Sequence, residues 1–257
     1  MKLNKIVLSA FLLASSALTS PVLAGTWIEV SNGPGRISTY NGGGRFDAKL
    51  FNSASSQTPT SSLLVTCIDF LNVFSYGERW EVNFTAIDGS QSLANTRYGG
   101  ALTNNGNANN FDNFQGMYNA MDRYRMAAWL TSRLPSYASG SADAKGIQGA
   151  IWFLLDPTGT PNAPKDGGAS WTATMSSWLT QAVNTGLSQS TAFYSQFRVV
   201  SQVNLTQLGN GYSTRYQEFI TTVVTPEPAT WAALGIAMIA LIAFARRRHA
   251  KQTASLA

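Results

Sequence analysis

Hydrophobic and polar positions change their rhythm several times along the chain. Over residues 46–51 and again over 80–87 they alternate, as in strands with one face buried. In the second stretch Trp80, Val82, Phe84 and Ala86 form the dry side against Glu81, Asn83 and Thr85. Residues 26–30 and the apolar run 63–70 read as two further strands. Gly33-Pro34-Gly35, Gly42-Gly43-Gly44 and Asp88-Gly89 carry turn chemistry between them. The spacing then becomes three and four. Phe114, Met117, Tyr118, Met121, Tyr124 and Ala128 predict a helix over 114–134 that stops before Pro135. A second helix is expected over 145–155, ended by Asp156-Pro157. Ser170 is expected to cap a third, with Trp171, Met175, Trp178, Leu179 and Ala182 on its apolar face. Strands return at 197–205 and 216–224. The pattern predicts an α+β fold: a β-sandwich or barrel-like ectodomain over 25–224, with a helical block inserted at about 114–185.

Both ends depart from that pattern. Lys2 and Lys5 precede an apolar stretch at 6–18, and Val22-Leu23-Ala24 supplies small residues of the kind signal peptidase reads. Residues 1–24 are therefore expected to be a signal peptide, with Gly25 as the mature start. At the other end residues 229–245 are unbroken by charge and are followed by Arg246, Arg247 and Arg248. As a helix this run is about 25 Å long, slightly short of the roughly 30 Å hydrocarbon core. The arginines act as a membrane stop on the cytoplasmic side.

Pro226-Glu227-Pro228, the apolar helix and the basic cluster follow one another to the chain end. This order resembles the PEP-CTERM protein-sorting tail, sometimes labelled the ice-binding protein C-terminal domain, of exported proteins in Gram-negative bacteria. The resemblance implies recognition by an exosortase, a membrane transpeptidase-like enzyme, and processing near Pro226, Glu227 and Pro228 within a tail over 225–257.

Composition narrows the function classes. Of 18 basic residues two lie in the first 24 and four lie in the tail, while one of 13 acidic residues is in the tail. That leaves 12 of each in the ectodomain, so the formal charge of +5 belongs to the targeting ends and marks no nucleic-acid partner. The one histidine, His249, falls beyond the apolar run. The exported part thus has no imidazole for a Ser-His-Asp or Cys-His mechanism, nor for a His-ligated metal. Cys67 is the one cysteine, so no intramolecular disulfide forms. Asp88, Asp112 and Asp122 lack the spacing of a calcium loop. No metal and no cofactor is expected.

Two short stretches carry the candidate chemistry: Val65-Thr66-Cys67-Ile68-Asp69 and Ile147-Gln148-Gly149-Ala150-Ile151-Trp152. Together they resemble the thioester domains of bacterial surface adhesins. In that family a strand cysteine condenses with a glutamine in a Gln-x-Ala-Ile-Trp motif on a helix, forming an internal γ-glutamyl thioester. The resemblance implies such a bond between Cys67 and Gln148, shielded by Ile147, Ile151 and Trp152 and opened by an amine on a partner surface. The alternative is that Cys67 is a small buried strand residue and Gln148 a helix residue bonded locally.

The sequence therefore predicts an exported, exosortase-sorted protein of the cell envelope, outer surface or extracellular matrix. It is anchored in the membrane before processing and acts in adhesion or matrix attachment rather than as an enzyme. Its expected partners are the exosortase and membrane for the tail, and an amine-bearing surface ligand or exopolysaccharide for the body. A non-covalent carbohydrate-binding or structural module of the exopolysaccharide layer is the alternative. A glycosidase would need two buried carboxylates facing one groove. The nearest group in sequence, Asp69, Glu78 and Glu81, reads as solvent-facing strand and loop ends.

Overall fold

The computed structural model describes residues 25–37, 43–70, 74–99, 118–155, 172–203, 205–208, 211–213 and 216–223. The expected signal peptide, the Pro-Glu-Pro motif, the apolar run 229–245 and the arginine cluster lie outside them. Among the described residues no helix is long and apolar enough to cross a membrane.

Six antiparallel strands close into a barrel: β1 (Thr26–Ile37), β2 (Gly43–Phe51), β3 (Ser61–Cys67), β4 (Arg79–Ala86), β5 (Phe197–Gln202) and β8 (Phe219–Thr222), in the order β1-β2-β3-β8-β5-β4. A separate two-stranded ribbon pairs β6 (Thr206–Leu208) with β7 (Gly211–Ser213). The helices α1 (Ala120–Arg133), α2 (Ala142–Leu155), α3 (Ala173–Gln181) and α4 (Thr191–Tyr194) all fall between β4 and β5. The expected α+β architecture is thus a barrel with a helical insertion.

Several expectations are corrected. Gly33-Pro34-Gly35 is no turn: β1 runs through it, and the β1–β2 register shifts between Ser31 and Gly35. Proline has no N–H for a ladder, so it sits where pairing lapses. A Cβ on Gly33 would lie 2.4 Å from the Phe46 backbone, so glycine lets the bulged strand close on its neighbour. In β4 the wet face fails at Thr85, which is buried. Thr85 is in register with Val199, and Val199 with Ile220, so it lies on a face closed by two fully buried aliphatics.

The helices start where their caps allow. The Asn119 side chain accepts from Asp122 N at 2.9 Å and opens α1. The expected residues 114–117 lie outside the described part. The α2 helix begins at Ala142, three residues before the expected start. The Thr172 hydroxyl, not Ser170, caps α3 by accepting from Met175 N at 3.2 Å. Every residue of α2 from Gly146 to Leu155 is buried. A helix apolar on all sides has no stable place at a surface, and this one packs against α1, α3 and β2.

Candidate functional site

Cys67 ends β3 and is registered opposite Phe219 of β8, with which it shares a face. Phe219 belongs to an aromatic cluster with Phe46, Phe74 and Trp80. The cysteine is fully buried. Its thiol donates to the Asp69 carbonyl at 3.3 Å. Burial pushes the thiol up from its ordinary 9.0 to about 12, and the Trp152 indole pulls weakly the other way.

Gln148 and Trp152 are four residues apart and so lie on one face of α2. Both face the start of β2, where a Cβ on Gly43 would stand 2.7 Å from Gln148 Cγ and 2.7 Å from a Trp152 ring carbon. The Gln148 carboxamide is fully buried and held at both ends. Its Nε2 donates to the main-chain carbonyl of Cys67 at 2.9 Å, and its Oε1 accepts from the main-chain N–H of Gly44 at 2.8 Å. A carbonyl must meet an N–H and an N–H must meet a carbonyl, so these partners fix which way the amide points. One helical turn therefore faces Cys67, with Gln148 on its carbonyl. Phe70 closes against Trp152 at a centroid distance of 5.2 Å.

The two residues singled out in sequence, 81 apart, are thus neighbours. The glycine pair 43–44 was read as turn chemistry and is instead the wall and one donor of this pocket. Gly43 and Gly44 open β2 in register with Ile37 and Arg36 of β1, and nothing in the sequence marks them as part of a pocket.

Beside this pocket lies a charged network that sequence spacing does not reveal. Asp69 is fully buried rather than solvent-facing; Glu78 and Glu81 are half-exposed and take no part in it. Arg97 pairs with Asp69 Oδ2, and the Tyr98 hydroxyl donates to Oδ1 at 2.6 Å. Glu218, 1% exposed, accepts from Arg97 N at 2.6 Å, from Ser201 Oγ at 2.5 Å and from Tyr124 Oη at 2.6 Å. Tyr124 Oη in turn accepts from Tyr98 N at 3.1 Å. Burial raises the Glu218 carboxyl, while the bonds from Ser201, Tyr124 and the Arg97 main chain lower it. Gln217 Nε2 donates to the same Asp69 carbonyl that takes the thiol, at 3.2 Å. Both carboxylates are buried and bonded by protein donors.

Residues 224–248 match the PEP-CTERM protein-sorting motif. That stretch contains Pro226, Glu227, Pro228 and the three arginines. Tails of this kind are processed by exosortase at the membrane, which makes this a membrane-processed protein exported to the cell surface. No curated protein and no solved structure matches the chain.

Proposed function

We propose that the exported barrel is a surface or matrix attachment module that works through an internal thioester. In this reading the Cys67 thiol adds to the Gln148 side-chain carbonyl carbon. The sulfur's proton passes to the departing nitrogen, the C–N bond breaks, and ammonia leaves. The product is a γ-glutamyl thioester. A primary amine on a partner surface then attacks the same carbon, forms an amide with residue 148 and returns the proton to Cys67. Each chain reacts once, so this is attachment and not turnover. No cofactor or metal enters.

The observation that carries the reading is the pair of hydrogen bonds on the Gln148 carboxamide, one of them to the main chain of Cys67 itself, in a pocket with neither residue exposed. Holding the carboxamide against the cysteine's own main chain lowers the ordering still required before the two react. Water is kept off the bond once formed. A buried thiol that resists ionisation is also a poor leaving group, which suits an acyl group that must survive until it meets its target.

Intact mass tests this. The full-length chain should be lighter by one ammonia than its sequence requires, and Cys67→Ala should lie at its sequence mass. Methylamine should add at residue 148 and release one thiol. A wild-type chain at its sequence mass, with Cys67 titratable in denaturant, would sink the reading.

A second reading is non-covalent binding of the exopolysaccharide. Tyr76, 47% exposed, stands beside Phe74 with Arg36 over its ring, and an exposed ring can stack on a sugar. Retention of Cys67→Ala, but not Tyr76→Ala, on the producer's own polysaccharide would favour it.

A further inference from the structure

We infer that the main-chain N–H of Gly44 is the catalytic oxyanion donor of this acyl transfer, and that Gly43 is the positioning residue that makes room for it. This rests on the thioester reading and adds the group that drives the bond's formation and opening. In both steps a nucleophile adds to the side-chain carbon of residue 148, and the negative charge that develops falls on its carbonyl oxygen. Gly44 N already lies 2.8 Å from that oxygen in a buried setting. A donor aimed at developing charge in a dry site acts without reorganising, which is where such a donor has its largest effect.

Alternatives for that role are few. Among the described residues the hydrogen bond to the Gln148 oxygen comes from Gly44 N. Gly44 can present its N–H only as glycine. Its φ is +100°, a region L residues rarely adopt, and a Cβ there would meet the Gly35 carbonyl oxygen at 2.3 Å. Gly43 is required for a different reason. A Cβ on it would press on Gln148 Cγ and on the Trp152 ring at once, driving the carboxamide off the Gly44 N–H. Two adjacent glycines thus serve one side chain on a helix more than 100 residues away.

Gly43→Ala in the full-length chain is the direct test, read by mass and by methylamine uptake. With the far-ultraviolet dichroism of the wild type, it should form the ammonia-free species about 10²-fold more slowly, the scale for losing one oxyanion donor. A purely structural glycine would leave that rate alone in the folded fraction. Gly43→Ala condensing at the wild-type rate would overturn the inference while the thioester stands. A wild type that never loses ammonia would overturn both. If Gly43→Ala does not fold, deuterium exchange at the Gly44 amide decides. It should be about tenfold faster in Gln148→Ala than in wild type, the scale of one net hydrogen bond. Equal exchange in the two would remove the donor from the site.

Discussion

Two buried polar regions lie side by side at the end of β3, and they are built on opposite principles. Among the described residues the hydrogen-bond partners of Cys67 and the Gln148 side chain are main-chain atoms, those of the carboxamide from β2 and β3. Around Asp69 and Glu218 there are two carboxyls, one guanidinium and a set of hydroxyl donors. The two share one atom, the Asp69 carbonyl, which takes both the Cys67 thiol and Gln217 Nε2. The difference separates their roles. A charge inside a protein is tolerated only while its partners stay put, so the acidic region ties β8, β5, α1 and the segment around Arg97 into one frame. A neutral pair can lose ammonia, the thiol's proton going with the nitrogen, without leaving an unpaired charge behind. The rigid region holds still the loop that orients the thiol, and on the thioester proposal the neutral region is the one that reacts.

Breaking the frame should give the largest effect. Arg97→Met removes the guanidinium that pairs with the buried Asp69 carboxylate. The expected cost is about 3–5 kcal/mol, read as a lower urea midpoint with unchanged slope. A cost no larger than that of an ordinary surface substitution would mean that water or another cation satisfies Asp69, and the contrast drawn above would fail. The thiol's orientation through the Asp69 carbonyl should suffer as well, so any Arg97→Met that folds should condense less completely than wild type.

The contrast also explains what could be read in advance. Alternation in β2 and β4 and the three-four spacing of α1 are local signals, and they put the barrel and its helical insertion within reach. Cys67 and Gln148 stand out in sequence only through the likeness of their two short stretches to thioester domains, and the structure brings the two residues together. The acidic frame is not local. Arg97 and Glu218 are 121 residues apart, and Tyr124 and Glu218 are 94 apart, so although Asp69 lies in an apolar run, nothing near it in sequence names its partners. Gly43 and Gly44 misled for a related reason. A glycine needed for a tight turn and one needed for a close approach look alike until the approaching side chain is known. Gly33-Pro34-Gly35 misled in the same way at the β1 bulge.

A smaller perturbation sharpens the account of the frame. Tyr124→Phe keeps the ring and removes one hydroxyl, which bonds Glu218 Oε2 on one side and Tyr98 N on the other. Leaving those groups without that partner should cost about 1–3 kcal/mol. The direction of its pH dependence follows from burial. Glu218 is already raised, and losing a donor raises it further, so the penalty of Tyr124→Phe should shrink as pH falls through the carboxylate range and Glu218 takes up a proton. A penalty constant from pH 4 to 7 would show that Glu218 does not titrate in that interval.

The smallest effect concerns the neutral pocket and separates a thiol from a consumed thiol. Below pH 9 a free Cys67 keeps its proton both folded and unfolded. Between 9.0 and about 12 only the unfolded chain gives it up. The folded value is the raised one, so stability is complete below that window and declines as pH climbs through it. One unit into the window the loss is about 1 kcal/mol. Gln148→Ala cannot form the bond and keeps its thiol, so between pH 8 and 10 its urea midpoint should fall more steeply than that of the double variant Gln148→Ala/Cys67→Ala. Wild type, if condensed, has no thiol to ionise and should track the double variant over that range. Ionising tyrosines and lysines contribute alike to all three chains and cancel in the comparison. A wild type that follows Gln148→Ala instead would place a free thiol in the native pocket, and the neutral region would then be a second frame rather than a reactive centre.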